Sequence, residues 1–554
     1  MGSSTRVEQP AESAEQSASS TKLARAAGAA SIAVFASRIT GLLREIVLTR
    51  KFGASMEYEA FLLGFRIPNL TRDLFAEGAL SSAFVPIFVE YLTTKNKEEA
   101  ARLANLVATG IMIIVGTICL AGIAGAPLLV EASGSGFHQE PGKFEQAVEM
   151  TRIMSPFLLL VSLAAQAMGI LNALNIYALP AFSSTLFNVG SVVTGLFLGF
   201  VANGFLGISH IEGIAWGVVI GGAMQLFVQV PSLVRHGFIF KPAFDWSHPG
   251  LRRILRTMGP AILGNAALQI NVFVNSNFAS HIVDPLRGAN GAVSWLNCSF
   301  RFMQLPLGVF GVAIASATLP AISRAAGLGD MNEFRRTLGK SLGMVLLLTV
   351  PSSVGLALLG QSVVGAIYEG GKFNHYDTQQ TAYALSFFAI GLVAYSCLKV
   401  LTPAFYALKD SRTPMLISLF SVVVNYVIAS QMSKVVGHAG LALSTSAVAL
   451  TGAIAQYIIL QRRLGEIGGA GLLATASKVV AGSGVMAITV WVFATGLGYL
   501  VPVGKMLYWL NILVTIPLGA LAYYAACRML GVAELETASR AIMGPLTRLR
   551  GKLQ

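Results

Sequence analysis

A chain of 554 residues with 54% hydrophobic residues, only 12% charged and a mean hydropathy of +0.67 is excluded from the ordinary soluble class, in which about a quarter of residues carry charge. Its net charge of +13 does not point to nucleic acid, because Lys and Arg gather in short stretches between apolar runs, the pattern that orients membrane proteins. Cys119, Cys298, Cys397 and Cys527 stand singly in apolar stretches, without the paired spacing of a zinc site or a disulfide framework.

Residues 1–26 are polar, small and without an apolar core, and are expected as a disordered cytoplasmic tail rather than a signal peptide. Apolar segments follow at 27–52, 58–93, 100–130, 146–173, 180–202, 206–235, 250–283, 290–325, 333–361, 376–408, 413–433, 438–461, 472–498 and 504–530. About 20 residues cross a bilayer as a helix, and a helix satisfies its own backbone in lipid. The expected fold is therefore an all-α polytopic membrane protein of about fourteen transmembrane helices. Residues 531–554, with Arg540, Arg548, Arg550 and Lys552, read as a cytoplasmic amphipathic tail.

One set of alternate loops carries Lys95 and Lys97, then Arg235, Lys241, Arg252, Arg253 and Arg256, then Arg324, Arg335, Arg336 and Lys340, then Lys409 and Arg412, then Arg462 and Arg463. The other set is poorer in cations. The rich side is expected to be cytoplasmic, and an even helix count puts both termini there.

The sequence repeats weakly. Pro86 and Pro320 are 234 positions apart, each expected to close a second-helix segment, and the same offset relates Ala173-Leu174 to Ala407-Leu408 and Pro180 to Pro414. Gly213, Ala215, Gln229 and Arg235 match Gly440, Ala442, Gln456 and Arg462 at an offset of 227. A six-helix shift preserves topology, so two parallel-repeat lobes are expected: an N-lobe at 27–235 and a C-lobe at 236–461, with residues 462–530 supplying two added helices. Transporters of this build place substrate at the repeat interface and rock one half against the other.

Charges inside apolar helices are costly and functional by default. Helix 1 carries Arg38, Arg44 and Glu45; helix 2 carries Glu59, Arg66, Arg72, Asp73 and Glu77; helix 8 carries Arg301 and helix 10 Lys399. Arg is permanently charged and forks onto phosphate oxygens. Arg38, Arg44, Arg72 and Arg301 thus suit a pyrophosphate, and the acids would hold the arginines and limit the cavity's charge. Arg66 and Lys399 fit interfacial snorkelling equally well. Gly221-Gly222 and Gly469-Ala470-Gly471 lack the strand and the Lys-Ser/Thr of a nucleotide loop. The dispersed histidines suggest no metal, and no catalytic constellation is visible, so neither a nucleotide nor a cofactor is expected.

Ser37-Arg38-Ile39-Thr40-Gly41-Leu42-Leu43-Arg44-Glu45 and Phe65-Arg66-Ile67-Pro68-Asn69-Leu70-Thr71-Arg72-Asp73-Leu74-Phe75-Ala76-Glu77-Gly78-Ala79 strongly resemble the MurJ (MviN) family. So do Val293-Ser294-Trp295, Leu305-Pro306-Leu307-Gly308-Val309-Phe310-Gly311, and Tyr368-Glu369-Gly370-Gly371-Lys372-Phe373. The resemblance implies a lipid II flippase of peptidoglycan synthesis in the bacterial inner membrane, with a fold related to multidrug and oligosaccharide-lipid exporters. It places the family's essential cations on Arg38, Arg44, Arg72 and Arg301, a cavity serine on Ser294, and helix 2 motif positions on Asn69 and Glu77. It also implies a groove for the undecaprenyl tail at the two added helices. Lipid II, membrane lipids and the cell-wall synthesis machinery are the implied partners. Glu45 and Glu59 stand where Asp is usual, Asp73 where some members have Arg, and Gln304 where some have an acid. Asn275, Asn425 and Ala429 stand nearest to the carboxylates of sodium-binding members, so no sodium site is expected.

The expected mechanism is alternating access driven by the membrane potential or a cation gradient. The rivals are an exporter of drugs or of another polyprenyl-linked saccharide, a non-transporting membrane scaffold for wall synthesis, and a membrane-embedded enzyme. The arginine set argues against cationic drugs, and the lack of a sizeable soluble domain argues against a scaffold.

Overall fold

The computed structural model describes residues 32–72 and 80–538, with side chains at 71, 81, 82, 260–265, 469 and 470 left aside. The expected tail at 1–26, Asp73, Glu77 and most of the expected C-terminal tail lie outside the described residues. Those described form helices and loops, with isolated backbone bridges only at Asp284–Gly288 and Gly370–Phe373.

The helices are α1 (32–52), α2 (Met56–Arg72), α3 (Ser81–Thr94), α4 (Lys97–Ala124), α5 (Ala126–Gly134), α6 (Lys143–Met154), α7 (Pro156–Ala173), α8 (Ala178–Phe200), α9 (Asn203–Leu206), α10 (His210–Phe227) and α11 (Val230–Arg235). They continue as α12 (Pro249–Ser280), α13 (Ala292–Pro306), α14 (Ala313–Leu328), α15 (Met331–Tyr368), α16 (His375–Ala407), α17 (Arg412–Val436), α18 (His438–Leu464), α19 (Gly469–Leu500), α20 (Lys505–Leu510) and α21 (Ile516–Met529). Eleven described helical segments are long and apolar enough to cross a membrane. The other three expected spans fall on α1, on α2 with α3, and on α12, whose charges dilute their apolar runs.

Several spans differ in detail from the sequence expectation. The segment expected at 290–325 is broken by a π-helical stretch, Leu307–Val312, directly after Pro306, and that at 504–530 by another, Asn511–Thr515. Proline removes a backbone donor and displaces the hydrogen-bond ladder. Pro86 and Pro320 lie inside α3 and α14 rather than closing them. Helix starts are set by side-chain caps: Asn96 for α4, Ser209 with Glu212 for α10, Asp330 for α15 and Asn374 with Asp377 for α16. Each meets an amide that the first helical turn leaves without a partner.

The chain forms two compact units. The first holds residues up to Leu48, Ala60–Ala132 and Pro141–Ala266; the second holds Thr49–Glu59, Ser133–Glu140 and residues from Ala267 onward.

In the first unit, Phe84, Phe88, Tyr91, Leu103, Val107, Leu158 and Phe238 form one core. The α8–α10 crossing is made of small residues. A Cβ on Gly213 would lie 2.2 Å from the Gly199 nitrogen, and one on Gly217 2.4 Å from the Ser191 carbonyl oxygen. Apolar helices gain little from burial against one another in lipid, so close backbone approach supplies the attraction.

In the second unit, Phe334, Leu338, Leu342, Leu401, Phe405 and Leu460 form a core. The α19 and α21 helices pack on α15 through Leu347, Val479, Met486, Val490 and Cys527. Tyr523 Oη donates to the Leu347 carbonyl at 2.6 Å.

The same turn occurs once in each unit. Helix α7 ends at Ala173 and α8 begins at Ala178; α16 ends at Ala407 and α17 begins at Arg412. Among the described residues, those with positive φ other than glycine are Asn175 (62°) and Lys409 (60°), at the offset of the sequence repeat.

Candidate functional site

In the first unit the charged positions of α1 and α2 have unequal surroundings. Arg38 is exposed, Arg44 half-buried and Glu45 buried. The Arg44 guanidinium lies over two rings, 5.7 Å from the Phe65 centroid and 5.2 Å from that of Phe187. Phe157 stacks on Phe187 at 5.2 Å and meets Phe65 at 5.9 Å. Two rings, from α2 and α8, thus lie under one arginine, with Phe157 of α7 packed against both, and a cation over ring faces is stabilised by about 0.5–2 kcal/mol. The α1 helix is pinned nearby, where Asn188 Nδ2 donates to the Ser37 carbonyl at 3.0 Å. On α2, Arg66, Asn69 and Arg72 are half-buried and three residues apart, a spacing that winds them along neighbouring faces of the helix.

In the second unit the first turn of α2 meets the first turn of α13. Glu59 is 1% exposed, and its carboxylate accepts the Ser294 backbone N–H at 3.0 Å. Ser294 is the third residue of α13, so the carboxylate caps an amide at the positive end of the helix dipole. The Ser294 hydroxyl is buried and has no hydrogen-bond partner among the described residues. The structure therefore brings two of the expected site residues, Glu59 and Ser294, together through backbone rather than hydroxyl. Arg301 lies two turns further along α13 and is exposed, just ahead of the π-helical stretch. Lys399 is exposed on α16.

The segment joining α1 to α2 is fastened within this unit by Tyr368–Phe373. Arg50 donates through its guanidinium to the Ile367 carbonyl at 2.7 Å, and its own carbonyl accepts the Lys372 N–H at 2.9 Å. Gly371 makes this possible: its φ is 62°, and a Cβ there would lie 2.2 Å from the Arg50 oxygen. Thr49 reaches Tyr58 at 3.3 Å and Cys298 at 3.8 Å.

A neighbouring knot was not read from the sequence. Asp377 is fully buried, caps α16, and accepts from Trp295 Nε1 at 3.1 Å and from Arg287 at 2.5 Å. Tyr376 Oη donates to Asp284 at 2.8 Å. The capping-box spacing of Asn374 and Asp377 was the available signal.

The positions nearest to the sodium-type carboxylates form a neutral amide network. Asn425 Nδ2 donates to Asn275 Oδ1 at 3.0 Å, and Asn275 Nδ2 donates to Thr445 Oγ1 at 2.9 Å. Among the described residues, no group of three or more His, Cys, Asp or Glu is placed to hold a metal ion.

A profile of the family described as lipid II flippase MurJ matches residues 48–510. A lipid II flippase MurJ of Burkholderia cenocepacia is 34% identical over 435 residues, covering 77% of this chain and 81% of that protein. A probable lipid II flippase MurJ of Bdellovibrio bacteriovorus is 32% identical over 508 residues, covering 91% and 94%. Among solved structures, a lipid II flippase MurJ in an inward closed conformation superposes with TM-score 0.72 at 24% identity, over 94% of this chain and 99% of that one. A MATE-family multidrug resistance transporter of the MOP superfamily, in an inward-facing conformation, gives TM-score 0.66 at 16% identity, over 77% and 94%. At these identities the two structures speak for the fold alone.

Proposed function

This chain belongs to the lipid II flippase MurJ family, and from that premise we propose that it carries lipid II from the inner to the outer leaflet of the bacterial inner membrane by alternating access. It is a multi-span membrane protein and a transporter rather than an enzyme. In this reading it has fourteen transmembrane helices, with both termini in the cytoplasm.

The arginines Arg38, Arg44, Arg72 and Arg301 hold the diphosphate of the headgroup during transport, while the undecaprenyl tail stays in lipid along α19 and α21. The observation that carries the reading is the setting of Arg44. A permanently charged, half-buried side chain lies over the rings of Phe65 and Phe187. A charge inside apolar helices marks a functional site by default, and a guanidinium is matched to phosphate oxygens. Asn69 and Ser294 belong to the same binding set, and Glu45, Glu59, Asp73 and Glu77 balance the cations and act at the gates. The membrane potential or a cation gradient drives the cycle, one charge across 100 mV being worth about 2.3 kcal/mol. No nucleotide takes part. The cell-wall synthesis machinery is the partner that consumes the delivered precursor.

The test is complementation. A bacterium depleted of its own lipid II flippase receives this protein or its Arg44→Ala variant, and externally exposed lipid II is probed. Rescue by the wild type alone is expected. A correctly inserted wild type that fails to rescue would turn the reading toward another polyprenyl-linked saccharide.

A further inference from the structure

The segment joining α11 to α12, residues 236–248, is an ordered strap on the outside of the first unit. Its ends are fixed in the protein. Phe238 enters the core against Phe88, with ring centroids 5.6 Å apart, and His248 is buried beside Tyr91 at 5.7 Å. Between them the strap runs along α4. Asn105 Nδ2 donates to the Ile239 carbonyl at 3.4 Å, and Asn105 Oδ1 accepts the Lys241 N–H at 3.3 Å. One turn further along α4, Thr109 Oγ1 accepts the Ala243 N–H at 3.1 Å. Asp245 pairs with Arg102 at 3.3 Å.

These anchor points fix the depth of the strap. The α4 helix is uncharged from Leu103 to Ala124, about 33 Å at 1.5 Å per residue, enough to cross the roughly 30 Å hydrocarbon core of a bilayer. Asn105 stands within one turn of Arg102, at the charged end of that run, and Thr109 one turn further into it. At this depth the strap turns Ile239, Phe240, Phe244 and Trp246 outward, with Phe244 72% exposed. Arg235, Lys241 and Arg252, interleaved with them or flanking them, are exposed and make no ion pair among the described residues. Aromatic and apolar side chains at the headgroup level with cations beside them form the composition of an interfacial anchor.

We propose that residues 236–248 are a membrane-interface anchor that seats Phe240, Phe244 and Trp246 among the acyl chains at the headgroup boundary and offers Arg235, Lys241 and Arg252 to anionic phospholipid headgroups. On the orientation proposed above this is the inner leaflet, the side from which the substrate is taken, but the anchor itself does not depend on what is transported. A soluble protein partner fits less well, because α4 holds the aromatic residues at the depth of lipid.

The test uses the full chain reconstituted in vesicles of phosphatidylcholine with or without phosphatidylglycerol. The Trp246→Phe variant is compared with wild type, and the difference in fluorescence reports Trp246. Quenching of that difference is expected to be roughly two-fold stronger with lipids brominated near the headgroup than at the chain ends, as for a side chain 5–10 Å into the boundary, with little quenching by aqueous acrylamide. Efficient acrylamide quenching without lipid quenching would overturn the anchor and leave the strap as a face for a soluble partner. For the charges, phosphatidylglycerol is expected to raise the melting temperature of wild type, and the Lys241→Gln, Arg235→Gln pair to lose most of that gain. An undiminished gain in the pair would overturn the headgroup contact. Neither readout involves flipping, so failure of the anchor is distinguishable from failure of the transport reading.

Discussion

Glu59 and Ser294 stand 235 positions apart in the chain and are joined by a hydrogen bond of 3.0 Å from amide to carboxylate. The bond ties the start of α2 to the start of α13, with both residues almost wholly buried. Replacing Glu59 by Ala leaves that amide without its acceptor, and a buried unsatisfied group costs about 1–3 kcal/mol. The Glu59→Ala protein is expected to melt at a lower temperature than wild type, and Glu59→Gln, which keeps an acceptor oxygen, to lie between them. Thermal unfolding in detergent decides; equal melting temperatures for Glu59→Ala and wild type would remove the bond from any account of stability.

Arg44 separates charge from shape. Lys at this position keeps the charge but cannot lay a plane over Phe65 and Phe187 or fork onto phosphate. Arg44→Lys is expected to insert normally and lose most lipid II export, close to Arg44→Ala, in the complementation assay. Wild-type export by Arg44→Lys would show that a point charge suffices.

Gly371→Ala places a Cβ against the Arg50 carbonyl at a position with φ of 62°. A left-handed conformation costs about 1–2 kcal/mol for a residue with a Cβ, before the clash is counted. Hydrogen exchange at the Lys372 amide is expected to quicken, together with that of residues 49–59. Unchanged protection would mean that the fastening tolerates the shift.

At the α8–α10 crossing, Gly213→Ala has no room, and overpacking costs about 1–3 kcal/mol. The variant is expected to show a lower melting temperature, whereas Gly204→Ala, with nothing within 4 Å of its would-be Cβ, is expected to be neutral. A melting temperature unchanged by Gly213→Ala would show that the helices can separate at little cost.

Asp410 lies in the α16–α17 connection, where hydrogen bonds from the Thr413 hydroxyl and backbone, with Arg463 beside them, hold its carboxyl well below the usual carboxylate range. A depressed native value means stability that is complete above the unfolded value of about 3.9 and lost as pH falls through the native one. The melting-temperature difference between wild type and Asp410→Asn is expected to be constant from pH 7 to about 4 and to shrink in stronger acid. A difference that varied between pH 5 and 7 would point to another group.

The intramembrane arginines were legible in the sequence because a charge in an apolar run needs no partner to be noticed. The Glu59–Ser294 bond was not, since its members are joined only by the fold. Tyr368–Phe373 stood out as a motif, but its glycine requirement is set by the carbonyl of Arg50, more than three hundred positions earlier. The strap at 236–248 read as a basic loop, because its order comes from the side chains of Asn105 and Thr109 on another helix. The expected spans on α1, α2 and α12, which are not among the eleven apolar enough to cross a membrane by hydropathy, rest on accepting charges that lower their hydropathy. The π-helical stretches after Pro306 and at Asn511 left no mark on periodicity strong enough to read.

The glycine-lined crossing of α8 and α10 bears on how this sequence can drift over time. Where a Cβ would strike a neighbouring backbone at 2.2–2.4 Å, as at Gly213 and Gly217, every larger side chain is closed off. Exposed positions on the same helices, such as Val193, Phe197 and Trp216, can exchange among apolar types without consequence for packing. Tolerance of substitution along α8 and α10 should thus rise and fall with the 3.6-residue helical period, and a deep mutational scan of these two helices would print their mutual orientation in its fitness values.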